Sequence, residues 1–131
     1  MTTNVKEKKV KAVIIEDSAV DAYRICKMLA KMDIETLHLL EAPDTESPAC
    51  FDGIILFNPS LIIIDIVMPD VDGYDLLAAL KNEPRLNHVQ MAIMSARDND
   101  YDVDYSEMLS AMAFVKKPVT QEDLDTIVSQ I

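Results

Sequence analysis

Tryptophan is absent from this 131-residue chain, and only two of its residues are cysteine. Without tryptophan the core must be filled by valine, isoleucine and leucine, which dominate the apolar half of the composition. The cysteines, Cys26 and Cys50, sit in segments that read as helix, beside apolar neighbours. They show neither metal-ligand spacing nor a paired framework, so two reduced thiols in a cytoplasmic protein are expected. Basic residues are also scarce: 12 Lys and Arg stand against 23 Asp and Glu, a net charge of −11. That balance argues against direct binding to nucleic acid or to an anionic membrane, because both would repel the chain. Solubility accounts for the bulk of the acid, and a cation-binding pocket would account for a clustered part of it. No apolar run approaches the roughly 20 residues that span a bilayer. The opening MTTNVKEKKVK is charged and lacks the apolar stretch of a secretory signal. There is no internal repeat, low-complexity tract or linker. One domain over residues 1–131 is expected, with its core from about residue 10 and residues 1–9 as an N-terminal extension. A domain of this size buries roughly 65–70% of its unfolded surface, enough to fold without staples.

What is present is an alternation of two periodicities. Val10 to Ile15 reads as a buried strand ending in acid, and Ser18 as the N-cap of a helix whose Ala22, Ile25, Leu29 and Met32 share one face. Ile34 to Leu40 is a second strand. The polar stretch Glu41 to Pro48 comes next, and Ser47-Pro48 predicts a cap and first-turn proline opening a helix to about Phe57. Leu61 to Ile66 is a near-continuous apolar strand broken only by Asp65. A turn from Pro69 to Gly73 leads into helix from Tyr74 to Leu80, and Val89 to Met94 is a fourth strand ending at Ser95. Asn99 to Ala111 is a helix weakened by aspartate, and Ala113 to Val115 a short fifth strand. Thr120 opens the last helix, with Asp123 completing a loose capping box and Leu124, Ile127, Val128 and Ile131 as its apolar face. Five strand–helix alternations specify an α/β fold, a doubly wound parallel sheet covered on both faces.

The polar residues that interrupt this pattern share a location. Glu16-Asp17, Asp65, Ser95 and Lys117 each stand at the end of a strand, on the side where open α/β sheets bind ligands. If the first and third strands are neighbours, three carboxylates converge. Two unit charges about 4 Å apart interact by roughly 4 kcal/mol at an effective dielectric near 20, so such a cluster demands a cation. Oxygen ligands with open positions suit Mg²⁺, with Mn²⁺ as an alternative. A carboxylate nucleophile, Mg²⁺, a lysine and a hydroxyl together make a phosphoryl-transfer site.

Glu16-Asp17-Ser18, the run from Asp65-Ile66-Val67-Met68-Pro69 to Asp72-Gly73, Ser95-Ala96 and Lys117-Pro118 together resemble the receiver domain of two-component response regulators (CheY-like). The resemblance covers Val10 to Ile131, and the D-x-x-M-P-x-x-D-G pattern at Asp65 is its most specific part. It implies a five-stranded parallel sheet in the order 2-1-3-4-5, a flavodoxin-like three-layer sandwich. It implies Asp65 as phosphoryl acceptor, with Mg²⁺ held by Glu16, Asp17, Asp65 and the carbonyl of Val67. Ser95 and Lys117 would each take a phosphoryl oxygen, and Phe114 would be the switch aromatic that turns inward with Ser95. A cis bond at Lys117-Pro118 is implied as well. The phosphodonor would be a histidine kinase or a histidine phosphotransfer protein, and the output a downstream protein or an attached domain. Two departures stand out: Ala111-Met112-Ala113 precedes the last strand where the family often has Gly-Ala, and extra residues lie around Glu41 to Pro48.

Simpler roles exist for most of these residues. Asp17 and Ser95 are common helix caps, Phe114 is core by default, Lys116 is a surface lysine, and Asp70 and Asp72 are turn residues. His38 and His88 have no partner at useful spacing and read as structural or exposed. Asp65 has no such alternative, because a lone aspartate in an apolar strand is costly to bury unless paired. Two other functions fit parts of the pattern. An Mg²⁺-dependent aspartyl phosphohydrolase would want an acid two residues after Asp65, where Val67 stands. A degenerate receiver that binds partners without phosphorylation would not need the complete set. The expected protein is therefore a signalling switch that catalyses its own phosphorylation and dephosphorylation, not an enzyme that turns over a substrate. Its fourth and fifth helices carry Asp98, Asp100, Asp102, Asp104, Glu107, Glu122, Asp123 and Asp125, with only Arg97 and Lys116 of opposite sign nearby. A two-fold interface would set acid against acid, so a salt-bridged homodimer through helix four, strand five and helix five is not expected.

Overall fold

The structure is a computed structural model that describes residues 9–97 and 100–131. The expected N-terminal extension, Asp98 and the expected helix start at Asn99 lie outside the described residues. The elements, in chain order, are β1 Lys11–Ile15, α1 Ala19–Ala30, β2 Glu35–Leu39, α2 Asp52–Phe57, β3 Leu61–Asp65, β4 Val67–Met68, β5 Val71–Asp72, α3 Gly73–Lys81, a 3₁₀ turn Pro84–Leu86, β6 Gln90–Ser95, α4 Asp100–Met108, β7 Ala113–Lys116 and α5 Gln121–Val128. Five of the strands form one parallel sheet in the order β2-β1-β3-β6-β7, the arrangement expected from the alternation and the resemblance.

The sheet is apolar on both faces because helices cover both. Val13, Ile15, Ile62, Ile64, Met91 and Ile93 point to one side, against Ile54 of α2 and Leu76, Leu77 and Leu80 of α3. Ala12, Ile14, Leu61, Ile63, Ala92 and Met94 point to the other, against Ile25 and Leu29 of α1 and Leu124 and Ile127 of α5. Strict alternation of adjacent residues between the two layers explains why β3 is buried along its whole length. Each fully buried leucine or isoleucine contributes roughly 1.5–3 kcal/mol, so these two layers dominate stability.

Local chemistry sets the element ends. Ser18 caps α1 by accepting from Asp21 N–H at 3.2 Å, and Thr120 and Asp123 form the full capping box at α5. Helix α2 is shorter than expected. Ser47 does not cap it; residues 47–52 make single turns, with Cys50 N–H on the Ser47 carbonyl and Asp52 N–H on that of Ala49. These three-residue steps do not propagate as α-helix until Asp52, so Cys50 lies in a turn. Asn58, left-handed at φ 56°, closes the helix before Pro59. The expected turn at Pro69 to Gly73 is a small antiparallel hairpin, β4 with β5, and Asp72 caps α3 through Tyr74 N–H at 2.8 Å. Helix α4 stops at Met108, short of Ala111, with Ser110 left-handed at φ 63°. Ile131 falls beyond α5 and is 41% exposed, so it is not on that helix's buried face. The Lys117-Pro118 bond is cis.

Candidate functional site

Four of the sheet's strands deliver side chains to one end of the molecule. Glu16 and Asp17 lie just past β1, Asp65 ends β3, Ser95 ends β6, and Lys117 lies just past β7. Because β1 and β3 are paired neighbours, with Ile15 opposite Ile64, the acids at their ends meet. Carboxylate oxygens of Glu16, Asp17 and Asp65 lie within 4.8 Å of one another. Glu16 and Asp65 are buried and Asp17 is exposed, so the cluster opens to solvent on the Asp17 side.

Lys117 reaches into this cluster. Its Nζ donates to Glu16 Oε2 at 2.8 Å and to Asp65 Oδ2 at 2.9 Å, and lies 3.4 Å from Asp21 Oδ2. The other Asp65 oxygen, Oδ1, accepts from Val67 N–H at 2.9 Å. Val67 is thus beside Asp65 through its backbone while its side chain faces solvent. Glu16 Oε1 accepts from Ser18 N–H at 3.1 Å, which aims the carboxylate back across the strand ends. Burial pushes the Glu16 carboxyl up to about 7, opposed by its bond to Lys117 and reinforced by nearby Asp65. Burial also works against the charge on Lys117, but its bonds to Glu16 and Asp65 outweigh that and raise its pKa.

Ser95 is fully buried, and its Oγ accepts from Arg97 N–H at 2.9 Å. Its carbonyl accepts from Lys117 N–H at 2.8 Å, which ties the ends of β6 and β7 together. Phe114 is half-buried on β7, opposite Ile93, and packs on the core layer beneath α3 and α4 rather than in the acid cluster.

Three participants escape sequence reasoning. Asp21 lies in the first turn of α1, four residues past Asp17, and its closeness in sequence to the Glu16-Asp17 pair could have flagged it. His38 has a partner after all: its Nε2 lies 2.8 Å from the Glu16 carbonyl. Asp102 is 2% exposed rather than on the acidic surface, held by the Tyr74 hydroxyl and Arg97.

Among the described residues only carboxylate oxygens converge on the cluster as metal donors, and Glu16, Asp17, Asp65 and the nearby Asp21 outnumber the one ammonium. Hard donors in excess negative charge fit Mg²⁺ or Mn²⁺ and would poorly hold a softer metal. Glu16, Asp17 and Asp65 are the side chains that could hold it. No helix among the described residues is long and apolar enough to cross a membrane.

Many known proteins are similar to this chain in sequence or in fold. The chain is 24% identical over 112 residues to protein PilH of Pseudomonas aeruginosa, covering 86% of this chain and 88% of that protein. It is 30% identical over 123 residues to a protein-glutamate methylesterase/protein-glutamine glutaminase of Geobacter sulfurreducens, covering 92% of this chain but 31% of that longer protein. The chemotaxis protein CheY4 of Vibrio cholerae superposes with a TM-score of 0.80 at 14% identity, covering 95% of this chain and 99% of that one. The BeF3-activated receiver domain of Klebsiella pneumoniae RstA superposes at 0.75 with 21% identity, covering 92% and 96%. The family model for the response regulator receiver domain matches residues 12–129, and the chain belongs to that family.

Proposed function

We propose that this chain is a phosphorylation-dependent signalling switch in which Asp65 accepts a phosphoryl group from a phosphohistidine donor. The observation that carries the reading is Asp65 itself. It is a carboxylate only 3% exposed at a sheet's carboxyl end, bonded to Lys117 at 2.9 Å and clustered with Glu16 and Asp17. An Asp65 oxygen attacks phosphorus, a P–O bond forms, the P–N bond to the donor imidazole breaks, and the imidazole leaves with a proton. Lys117, bonded to Asp65 in the unmodified chain, would pair with a phosphoryl oxygen once Asp65 carries the acyl phosphate. Ser95, a hydroxyl that both accepts and donates, is the candidate for a second oxygen, and its turn would draw Phe114 inward. Glu16, Asp17, Asp65 and the Val67 carbonyl would hold Mg²⁺, which neutralises charge on the transferring phosphoryl group. The residue two beyond Asp65 is Val67, which cannot act as the acid of a hydrolase, so the phosphoryl group is kept rather than turned over.

The donor would be a histidine kinase or a histidine phosphotransfer protein, and the receiver of the signal a downstream protein or an attached output domain. Neither direct contact with nucleic acid nor a membrane is needed for this role. Incubation with acetyl phosphate and Mg²⁺, followed by intact-mass measurement, should add one persistent phosphoryl mass, and Asp65→Asn should abolish it. Full labelling of that variant, or catalytic release of phosphate without a labelled state, would sink the reading.

A further inference from the structure

A carboxylate as buried as Asp102 is costly to keep unless every lone pair is matched, and an apolar residue would close the α3–α4 contact as well. Two of its partners come from different elements. Tyr74, itself 7% exposed at the start of α3, brings its hydroxyl to 2.9 Å from Asp102 Oδ1 and 3.1 Å from the Asp102 carbonyl. Arg97 brings Nη2 to 3.1 Å from the same Oδ1. The two partners are not equivalent. Tyr74 is fixed, packed in the core layer and edge-on to Tyr105 with ring centroids 4.7 Å apart. Arg97 lies two residues past Ser95, and its side chain is 54% exposed. One end of Arg97 therefore holds Ser95, through its backbone N–H on Oγ, and the other end is moored to Asp102.

We propose that Asp102 is a positioning residue for the phosphoryl site: through Arg97 it holds Ser95 in the unphosphorylated arrangement and opposes its turn toward Asp65. This rests on the switch reading above. For Ser95 to swing toward a phosphoryl oxygen on Asp65, its hydroxyl must turn and the backbone at Ala96 and Arg97, which follows β6, must yield with it. The ion pair to Asp102 resists that shift because its far side is anchored on α3. Its strength is subtracted from the affinity for anything that draws Ser95 over, so releasing it raises that affinity. The pair is half in solvent, which limits the gain to about threefold to tenfold.

The test is titration of the Mg²⁺-loaded protein with beryllofluoride, a phosphoryl mimic, in wild type, Arg97→Ala, Arg97→Lys, Asp102→Asn and the Arg97→Ala/Asp102→Asn double variant. Arg97→Ala leaves the buried Tyr74–Asp102 pair in place and keeps the test open should Asp102→Asn fold poorly. Beryllofluoride affinity is expected to rise about threefold to tenfold in Arg97→Ala and Asp102→Asn, with no further rise in the double variant, and to return toward wild type in Arg97→Lys. A purely structural pair would lower the melting temperature and leave affinity unmoved. Unchanged or weakened affinity in both single variants, or additive gains in the double, would overturn the proposal while the switch reading stands. A wild type that binds no beryllofluoride would overturn both.

Discussion

Lys117 is the residue on which the site's charge balance turns. Its side chain is 16% exposed and faces Glu16 at 1% and Asp65 at 4%. Removing one partner of a buried pair leaves charge without compensation and typically costs about 3–5 kcal/mol. Glu16, already lifted to about 7, can take up a proton and soften the loss. Lys117→Ala should therefore destabilise the metal-free protein by about 3 kcal/mol, the low end of that range. Mg²⁺ should restore more stability to this variant than to wild type, because a cation replaces the missing ammonium. Urea melts with EDTA and with Mg²⁺ would check both. Asp17 presents the opposite case. It is exposed and bonded to none of the buried groups described above, so Asp17→Ala should barely move stability while weakening Mg²⁺ binding about tenfold or more by calorimetry. Equal Mg²⁺ affinity in the two proteins would remove Asp17 from the metal set.

At the scale of elements, close approach and mooring matter more than propensity. Gly73 opens α3 with ordinary backbone angles, yet a Cβ there would collide with Ile66 Cα and sit 2.9 Å from the Asp65 carbonyl oxygen. Both obstacles are backbone and cannot swing aside. Gly73→Ala should push α3 off β3 and destabilise the fold by about 2 kcal/mol or more, and it should also disturb Asp65 itself. Thermal melts and acetyl-phosphate labelling would measure the two effects. Helix α4 is moored by Tyr74 on Asp102 and by the Tyr74–Tyr105 edge contact. Tyr74→Phe keeps the ring and deletes the hydroxyl, so about 1–3 kcal/mol should be lost and amide exchange should quicken in α4 before the sheet. Uniform protection across the variant would mean that α4 is held by packing alone.

The whole molecule carries a net charge of −11 on a doubly wound frame. On the face built from α4, β7 and α5, Asp104, Glu107, Glu122 and Asp123 remain directed outward or partly so, while the half-exposed Arg97 is already engaged with the buried Asp102. A two-fold contact through this face would oppose acid to acid with little to pair it. Sedimentation of the beryllofluoride-treated protein should therefore give a monomer at low salt. A tight dimer that dissolves when α4 or α5 is mutated would show that this face self-associates.

The periodicities by themselves determined the order of strands and helices, the two-faced core and the presence of Asp65 in an apolar strand. Burial on both faces leaves a continuous apolar run that is readable residue by residue. The acid cluster was legible for a related reason: residues at strand ends share one edge of a parallel sheet, so Glu16, Asp17, Asp65, Ser95 and Lys117 could be gathered before their distances were known. Ser47-Pro48 misled about the start of α2 because a capping signal fixes one turn only, and the turns beyond it depend on packing. Asp102 misled for the converse reason. Its neighbours in sequence are acidic and argue for a solvated face, but the α3 hydroxyl that buries it lies 28 residues away. The Asp21 contact with Lys117 spans 96 residues. Helical spacing tells which side of an element a residue occupies; only the crossing of elements in space decides what stands opposite it.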